Sequence, residues 1–278
     1  MTLTKNFLYL MLFMLVENNN MDLDLREKQV LITGGTRGIG LASAKAFAKE
    51  GCVVHITGRK QQDLEHARKS IGTDYQIHTH ICDLKKNGAT EKLANDCREV
   101  DILVNNAGAT PTGPIELVGV DEWREGLELK VIATVDLTKK FYEFMCKRKK
   151  GVIINVIGNC GERPDPEIIV ATVTNSGMMN FTRALGSVSV NHGVRVLGVN
   201  PGATSTERLV HIMEEKARDR YGDPKLWERL VEPLPFRRAS TPTEQADMIV
   251  FAASDRCSYV SGTILTVDAG IAQRGHIF

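Results

Sequence analysis

The sequence predicts one α/β domain built on a doubly wound parallel sheet of about seven strands, with helices on both faces. Three observations predict it. Short apolar runs alternate with helix-length amphipathic stretches from Lys28 almost to the end of the chain. Strands separated by helices return to the same sheet only through parallel crossovers. No Pro/Gly/Ser-rich linker and no repeat interrupts the alternation, so residues 22–278 read as one domain, and 42% apolar residues suffice for a single large core.

The elements follow in order. "QVLIT" (29–33) is the first strand, leading through a glycine-rich turn into a helix over "LASAKAFAKE". "CVVHIT" (52–57) is the second, followed by a helix from Gln61, and "YQIHTHI" (75–81) is the third, followed by a helix over 89–98. "DILVNN" (101–106) precedes one long helix over 121–149, and "GVIINVI" (151–157) precedes a helix over 172–190. "RVLGVN" (195–200) and "GTILTVD" (262–268) complete the set. Each strand is a short run rich in Val, Ile or Leu, as a strand buried on both faces requires. Residues 203–238, rich in charge and in Pro, lie between the sixth strand and the last helix. In open α/β sheets, ligands bind outside the carboxyl ends of the strands, so this insertion is expected to form a helical lid over a site there. The whole is a Rossmann-like architecture.

Lys and Arg number 35 against 34 Asp and Glu, a net charge of +1. No whole-molecule field recruits nucleic acid or an anionic membrane, and a small-molecule substrate is the expected partner. The six cysteines (Cys52, Cys82, Cys97, Cys146, Cys160, Cys257) show neither C-x-x-C nor a ligand-like spacing to histidine. They read as reduced thiols of a cytoplasmic protein, and no metal site is expected. Residues 1–21 carry "FLYLMLFMLV" (7–16) after Lys5, too short for the roughly 20 residues that span a bilayer. No small-x-small cleavage site follows, and Met21 stands just before the globular pattern. An upstream leader or disordered arm is expected, with any membrane contact confined to residues 7–16.

"LITGGTRGIG" places Gly34, Thr36, Arg37, Gly38, Ile39 and Gly40 at the first strand-to-helix turn. Glycines let backbone approach a pyrophosphate, and the following helix offers free N–H groups at its positive end, so a dinucleotide cradle is expected. An NAD-selective site would end the second strand with a carboxylate for the ribose hydroxyls. Gly58 and Arg59 stand there instead, and with Arg37 they favour a 2′-phosphate, hence NADP(H) over NAD(H).

Together with "CDL" (Cys82, Asp83, Leu84), "NNAG" (Asn105–Gly108), "NPG" (Asn200–Gly202) and the closing "YVSGTILTVDAG", the glycine turn resembles the short-chain dehydrogenase/reductase family over about residues 25–270. The resemblance implies that Asp83, with Leu84, meets the adenine. It implies that Asn106, Ala107 and Gly108 line the cofactor ribose, and that Pro201, Gly202 and Thr204 meet the nicotinamide end. It also implies a proton-transfer set of Asn, Ser, Tyr and Lys, with the Lys four residues after the Tyr. Ungapped alignment puts Lys130, Gly158, Ala171 and Asn175 at those positions, so all four depart from the pattern. No register shift repairs this, because there is no Tyr between Tyr142 and Tyr221 and no Lys between Lys150 and Lys216.

Lys130 is the leading substitute, since a partly buried ammonium can polarise a carbonyl. Glu162, Arg163 and Asp165 in the loop after the fifth strand, Cys160 beside it, and His211 and Tyr221 on the expected lid are further candidates. Two functions are compatible with these residues. One is an NADP(H)-dependent oxidoreductase acting on a carbonyl or alcohol with a non-standard proton-transfer site. The other is a non-redox dinucleotide-binding protein, or a lyase- or isomerase-like enzyme, on the same fold. The family's subunit pairing through the two long helices implies a homodimer or homotetramer.

Overall fold

The computed structural model describes residues 21–274, so the apolar stretch 7–16 lies outside the described residues. No described helix is long and apolar enough to cross a membrane. The strands are β1 (Gln29–Ile32), β2 (Val53–Gly58), β3 (Ile77–Ile81), β4 (Ile102–Asn105), β5 (Gly151–Val156), β6 (Val194–Pro201) and β7 (Ile264–Val267). They form one seven-stranded sheet in the order β3-β2-β1-β4-β5-β6-β7, every neighbouring pair parallel. This is the predicted architecture. The helices are α1 (Gly38–Lys49), α2 (Gln61–Ile71), α3 (Ala89–Asp96), α4 (Val120–Leu127), α5 (Ala133–Arg148), α6 (Ile169–Ser189), α7 (Glu207–Tyr221), α8 (Glu228–Val231) and α9 (Pro242–Ala253).

The apolar runs of the central strands are explained by two cores. Val30, Ile32, Val54 and Ile56 face one side, where Phe47 of α1 and Ile249 of α9 pack. Leu31, Leu103, Ile153 and Val196 face the other, against Leu137 and Phe141 of α5. Alternate residues of a strand point to opposite faces, so a sheet covered twice needs apolar side chains at every position. Arg195 on β6 closes the carboxyl end of α9, donating to the carbonyls of Ala252, Ala253 and Ser254 at 2.9–3.0 Å.

Two features position the site. The chain leaves β1 toward β2 and β3, then returns to the other side of β1 as β4, and the crevice between the diverging crossovers opens at the carboxyl ends of these strands. A buried polar chain then ties the sheet to the helices beside that crevice. Asn105 Nδ2 donates to Thr138 Oγ1 and Asn155 Oδ1, and Asn155 Nδ2 donates to Thr182 Oγ1, each at 2.9 Å. These four side chains are nearly sealed from solvent and link β4, β5, α5 and α6.

The expected single helix over 121–149 is instead three pieces, with a π-helical turn at Glu128–Ile132 between α4 and α5. Thr134 Oγ1 reaches back to the carbonyl of Leu129, five residues earlier, at 3.4 Å. A π turn inserts one extra residue and re-aims the side chains on it, and such turns recur at functional sites. Lys130 lies in this one.

Candidate active site

The glycine turn is held open for a ligand by its own neighbours. Asn106 Nδ2 donates to the carbonyls of Thr33 and Gly34 at 3.0 and 3.1 Å, and Thr33 Oγ1 accepts from the N–H groups of Asn106 and Ala107, both at 3.0 Å. A Cβ on Gly40 would stand 2.5 Å from Asn106 Nδ2 and closer still to the Gly34 carbonyl, so only glycine lets the turn close this tightly. The first N–H groups of a helix have no intrahelical partner. At α1 the N-cap residue, Arg37, contributes no side-chain hydrogen bond, and the first turn holds no acidic side chain. The positive end of α1 is therefore uncapped where it faces the crevice, and the residues present fit a dinucleotide pyrophosphate.

The crevice is a cleft of about 750 Å³. Gly34, Thr36, Arg37, Gly38, Ile39, Arg59, Asp83, Leu84, Asn106, Ala107, Gly108, Pro201 and Gly202 all line it, so the structure brings together segments that are far apart in the sequence. Six cationic side chains (Arg37, Arg59, Lys60, Lys85, Lys130, Arg208) face three carboxylates (Asp63, Asp83, Glu207) on its walls. Arg37 and Arg59 are exposed, and among the described residues neither enters an ion pair. Asn106 lines the cleft, and its side chain is spent on the glycine turn, so it also positions the cradle.

Gly40 and Thr204 do not line the cleft. Gly40 is buried behind the turn, and the Thr204 hydroxyl is tied to the Gly202 carbonyl and Ser240 Oγ, both at 3.0 Å. Thr206, two residues on, lines the cleft and caps α7 by accepting the Leu209 N–H at 3.3 Å. Thr204 bridges to Ser240 in extended backbone, whereas the Thr206 methyl lies against Gly38 at the start of α1. A sequence signal for it existed in the Thr-Glu start of a charged helix. Arg208 was not singled out for the site either, yet it reaches across to donate to the Thr110 carbonyl at 2.8 Å, joining α7 to the loop after β4. Burial, and then the charge of Arg37, hold its pKa below the usual arginine value.

At the floor of the cleft the π turn delivers Lys130. Its ammonium donates to the carbonyls of Val156 and Ile157 at the end of β5, both at 3.0 Å. The stem passes over Gly108, where a Cβ would come within 2.8 Å of Lys130 Cδ. The residue keeps some surface at the cleft wall, while its charged end sits deep among protein atoms. Burial lowers its pKa from 10.5 to about 8, with Arg208 adding to the shift and Cys160 opposing it. Two of its three N–H bonds are committed to carbonyls, and the third is available to a ligand oxygen.

Beside it lie the other altered positions. Gly158 has φ +138°, a region L side chains rarely enter, and a Cβ there would stand 2.6 Å from Asn175 Nδ2. The backbone itself is thus shaped for the absence of a side chain at the position of the family's Ser. Asn175 Nδ2 donates to Cys160 Sγ at 3.0 Å, while Asn175 Oδ1 is buried with no partner among the described residues. Burial raises the Cys160 pKa, opposed by the Asn175 hydrogen bond and by Lys130. Ala171 stands in the first turn of α6 and presents no polar group.

The remaining candidates lie away from the cleft lining. The Glu162 carboxylate accepts from Thr266 Oγ1 at 3.0 and 3.1 Å, and Asp165 Oδ1 accepts the Glu167 N–H at 2.9 Å. Arg163 does not line the cleft. His211 contacts Glu215 on the exposed side of α7 at 3.5 Å, and Tyr221 lies under the Arg220 guanidinium, 5.6 Å from its ring centre.

The short chain dehydrogenase family model matches residues 28–217. The chain is 34% identical over 259 residues to YvrD of Bacillus subtilis (strain 168), an uncharacterized oxidoreductase, covering 90% of this chain and 98% of that protein. It is 28% identical to the 3-oxoacyl-(acyl-carrier-protein) reductase FabG of Aquifex aeolicus (strain VF5), covering 90% and 100% of the two chains. Among solved structures, L-sorbose reductase from Gluconobacter frateurii, complexed with NADPH and L-sorbose, superposes with a TM-score of 0.86 at 29% identity, over 91% of this chain and 100% of that one.

Proposed function

The chain belongs to the short-chain dehydrogenase family, and from it we propose an NADP(H)-dependent oxidoreductase acting on a carbonyl or alcohol small molecule, with Lys130 as the proton-transfer group. One observation carries the cofactor half: the uncapped end of α1 opens into a cleft where cations outnumber carboxylates two to one. Arg37 and Arg59 hold the 2′-phosphate, and the first-turn N–H groups of α1 hold the pyrophosphate. Asp83 and Leu84 meet the adenine, Ala107 and Gly108 the ribose, and Pro201 and Gly202 the nicotinamide end. The bound cofactor supplies hydride.

Lys130 supplies the proton. Held by two carbonyls at the cleft floor, its third N–H points charge at a substrate oxygen, polarising the carbonyl and donating as negative charge develops. A pKa near 8 matches a group that must be protonated at rest and give up its proton in turnover. Residues 203–238 act as the lid, latched by the Arg208 hydrogen bond to Thr110. The protein works as a homodimer or homotetramer in the cytoplasm. Exposed apolar side chains on the expected pairing helices support assembly: Val173 is 48% and Val188 51% exposed on α6, and Ile132 is 54% exposed beside α5. Light scattering of the full chain is expected to give two or four times the monomer mass, and a monomer at micromolar concentration would remove that part of the proposal.

The test is NADPH consumption by the full chain against a panel of small aldehydes and ketones. Carbonyl-dependent oxidation is expected, with Lys130→Met lowering kcat by about 10²–10⁴-fold while NADPH binding changes little. Wild-type protein that binds NADPH yet oxidises none of it would favour the non-redox reading, which the Gly158 conformation supports because it shuts out the family's Ser.

A further inference from the structure

The fold assembles two imidazoles and a thiol that sequence spacing keeps apart, at the β2–β3 edge of the sheet. His55 comes from β2, His80 from β3, and Cys97 from the residue that ends α3. Their ligand atoms converge: His55 Nδ1 and His80 Nε2 are 3.0 Å apart, Cys97 Sγ lies 3.5 Å from His80 Nε2 and 3.8 Å from His55 Nδ1. Tetrahedral zinc, with bonds of about 2.05 Å to nitrogen and 2.3 Å to sulfur, separates two nitrogen ligands by about 3.3 Å and a nitrogen from a sulfur by about 3.6 Å. The triangle found here matches that spacing to within a few tenths of an ångström, without an ion to organise it.

The surroundings suit an ion as well. Cys97 is buried, and the His78 ring stacks on His55 with centroids 4.7 Å apart, covering that side of the cluster. Without an ion, the cluster must share protons among three groups that are each both donor and acceptor, and the far nitrogen of His55, Nε2, is buried with no partner among the described residues. The strand register explains the convergence. His55 pairs with His78 and Thr57 with His80 in the parallel ladder, so His78 and His80, two apart on β3, share the face that His55 presents on β2. Cys97 then packs down onto that face from α3.

We propose that His55 Nδ1, His80 Nε2 and Cys97 Sγ form a binding site for a borderline-soft divalent transition ion of the Zn²⁺ type, with a fourth coordination position open. Both imidazoles ligate in their neutral form, and binding displaces the Cys97 thiol proton to solvent. The ion would fasten the carboxyl end of β3 to α3. That end runs directly into Cys82 and Asp83 on the cleft wall, so the site buttresses the cofactor cleft without touching it.

Metal-free full-length chain is titrated with Co²⁺, which reports thiolate coordination by a charge-transfer band and tetrahedral geometry by intense visible d–d bands. One Co²⁺ per chain is expected, with both signatures, displaced by one equivalent of Zn²⁺. Cys97→Ala and His80→Asn are each expected to abolish the bands, and Cys146→Ser, on α5, to leave them intact. Because a core variant can fail to fold, Zn²⁺ should also raise the Tm of wild-type protein, and a chelator should reverse the rise. Absence of the charge-transfer band in wild-type protein, or its persistence in a folded Cys97→Ala variant, would overturn the assignment.

Discussion

At the scale of single residues, the proposed chemistry rests on Lys130, and its pH behaviour separates it from an ordinary lysine. Burial lowers its pKa to about 8, so the ammonium that donates in carbonyl reduction is present below that value and lost above it. The rate of reduction is expected to be flat at neutral pH and to fall as pH rises through about 8. Lys130→Met should abolish this alkaline limb along with most of the rate. A limb unchanged in the variant would assign proton transfer elsewhere. Gly158 supplies the second residue-scale prediction. Its φ of +138° and the 2.6 Å approach of a built Cβ to Asn175 make a side chain there strained. Gly158→Ser, alone or with Ala171→Tyr and Asn175→Lys, should cost about 1–3 kcal/mol of stability, read as a lower Tm, with no gain on simple ketones. A large gain in activity would show the family's usual machinery to be merely absent rather than replaced. At this scale the sequence was informative where identity alone decides. The missing Tyr and Lys could be read directly, as could the arginines at the glycine turn. The surroundings of a side chain could not: the ties of Thr204 to Gly202 and Ser240, and of Asn106 to the glycine turn, show only in the fold.

At the scale of elements, all seven strands were legible, the central ones because a strand buried on both faces can hardly be written any other way, and the edge strands β3 and β7 from their place in the alternation with helices. The π turn was not legible. Its sequence, ELKVI, continues the amphipathic pattern of α4 and α5, and the extra residue shows only in the backbone. Its effect is to turn Lys130 across Gly108 onto the carbonyls that end β5. The Asn105–Asn155–Thr182 chain fixes those same strand ends from the other side. Asn155 sits at its centre, donating to Thr182 and accepting from Asn105. Asn155→Ala removes one hydrogen bond from each of Asn105 and Thr182, which keep only their bonds to Thr138 and to the Met178 carbonyl in a dry interior, so unfolding should become easier by about 1–3 kcal/mol in urea titration. An unchanged midpoint would mean that the network does not hold β4, β5 and α6 together. The His55, His80 and Cys97 convergence is also an element-scale fact, set by the register of β2 against β3, which no local spacing encodes.

At the scale of the whole molecule, the strand order places one reversal between β2 and β4, on either side of β1, and the cleft forms there. The near-balanced overall charge hides a local excess of cations around this cleft, and the proposed choice of cofactor rests on that excess. The account therefore stands on cofactor choice before any substrate is known. The deciding measurement is a titration of the full chain with NADPH and NADH, followed by energy transfer from tryptophan to nicotinamide. NADPH is expected to bind at micromolar concentration and NADH more weakly. Arg37→Ala with Arg59→Ala should erase most of the difference, since charge-assisted contacts to a phosphate contribute about 1.5–3 kcal/mol each. Equal affinity for the two cofactors, or a preference that survives loss of both arginines, would contradict the proposed site, and binding of neither would contradict the oxidoreductase itself.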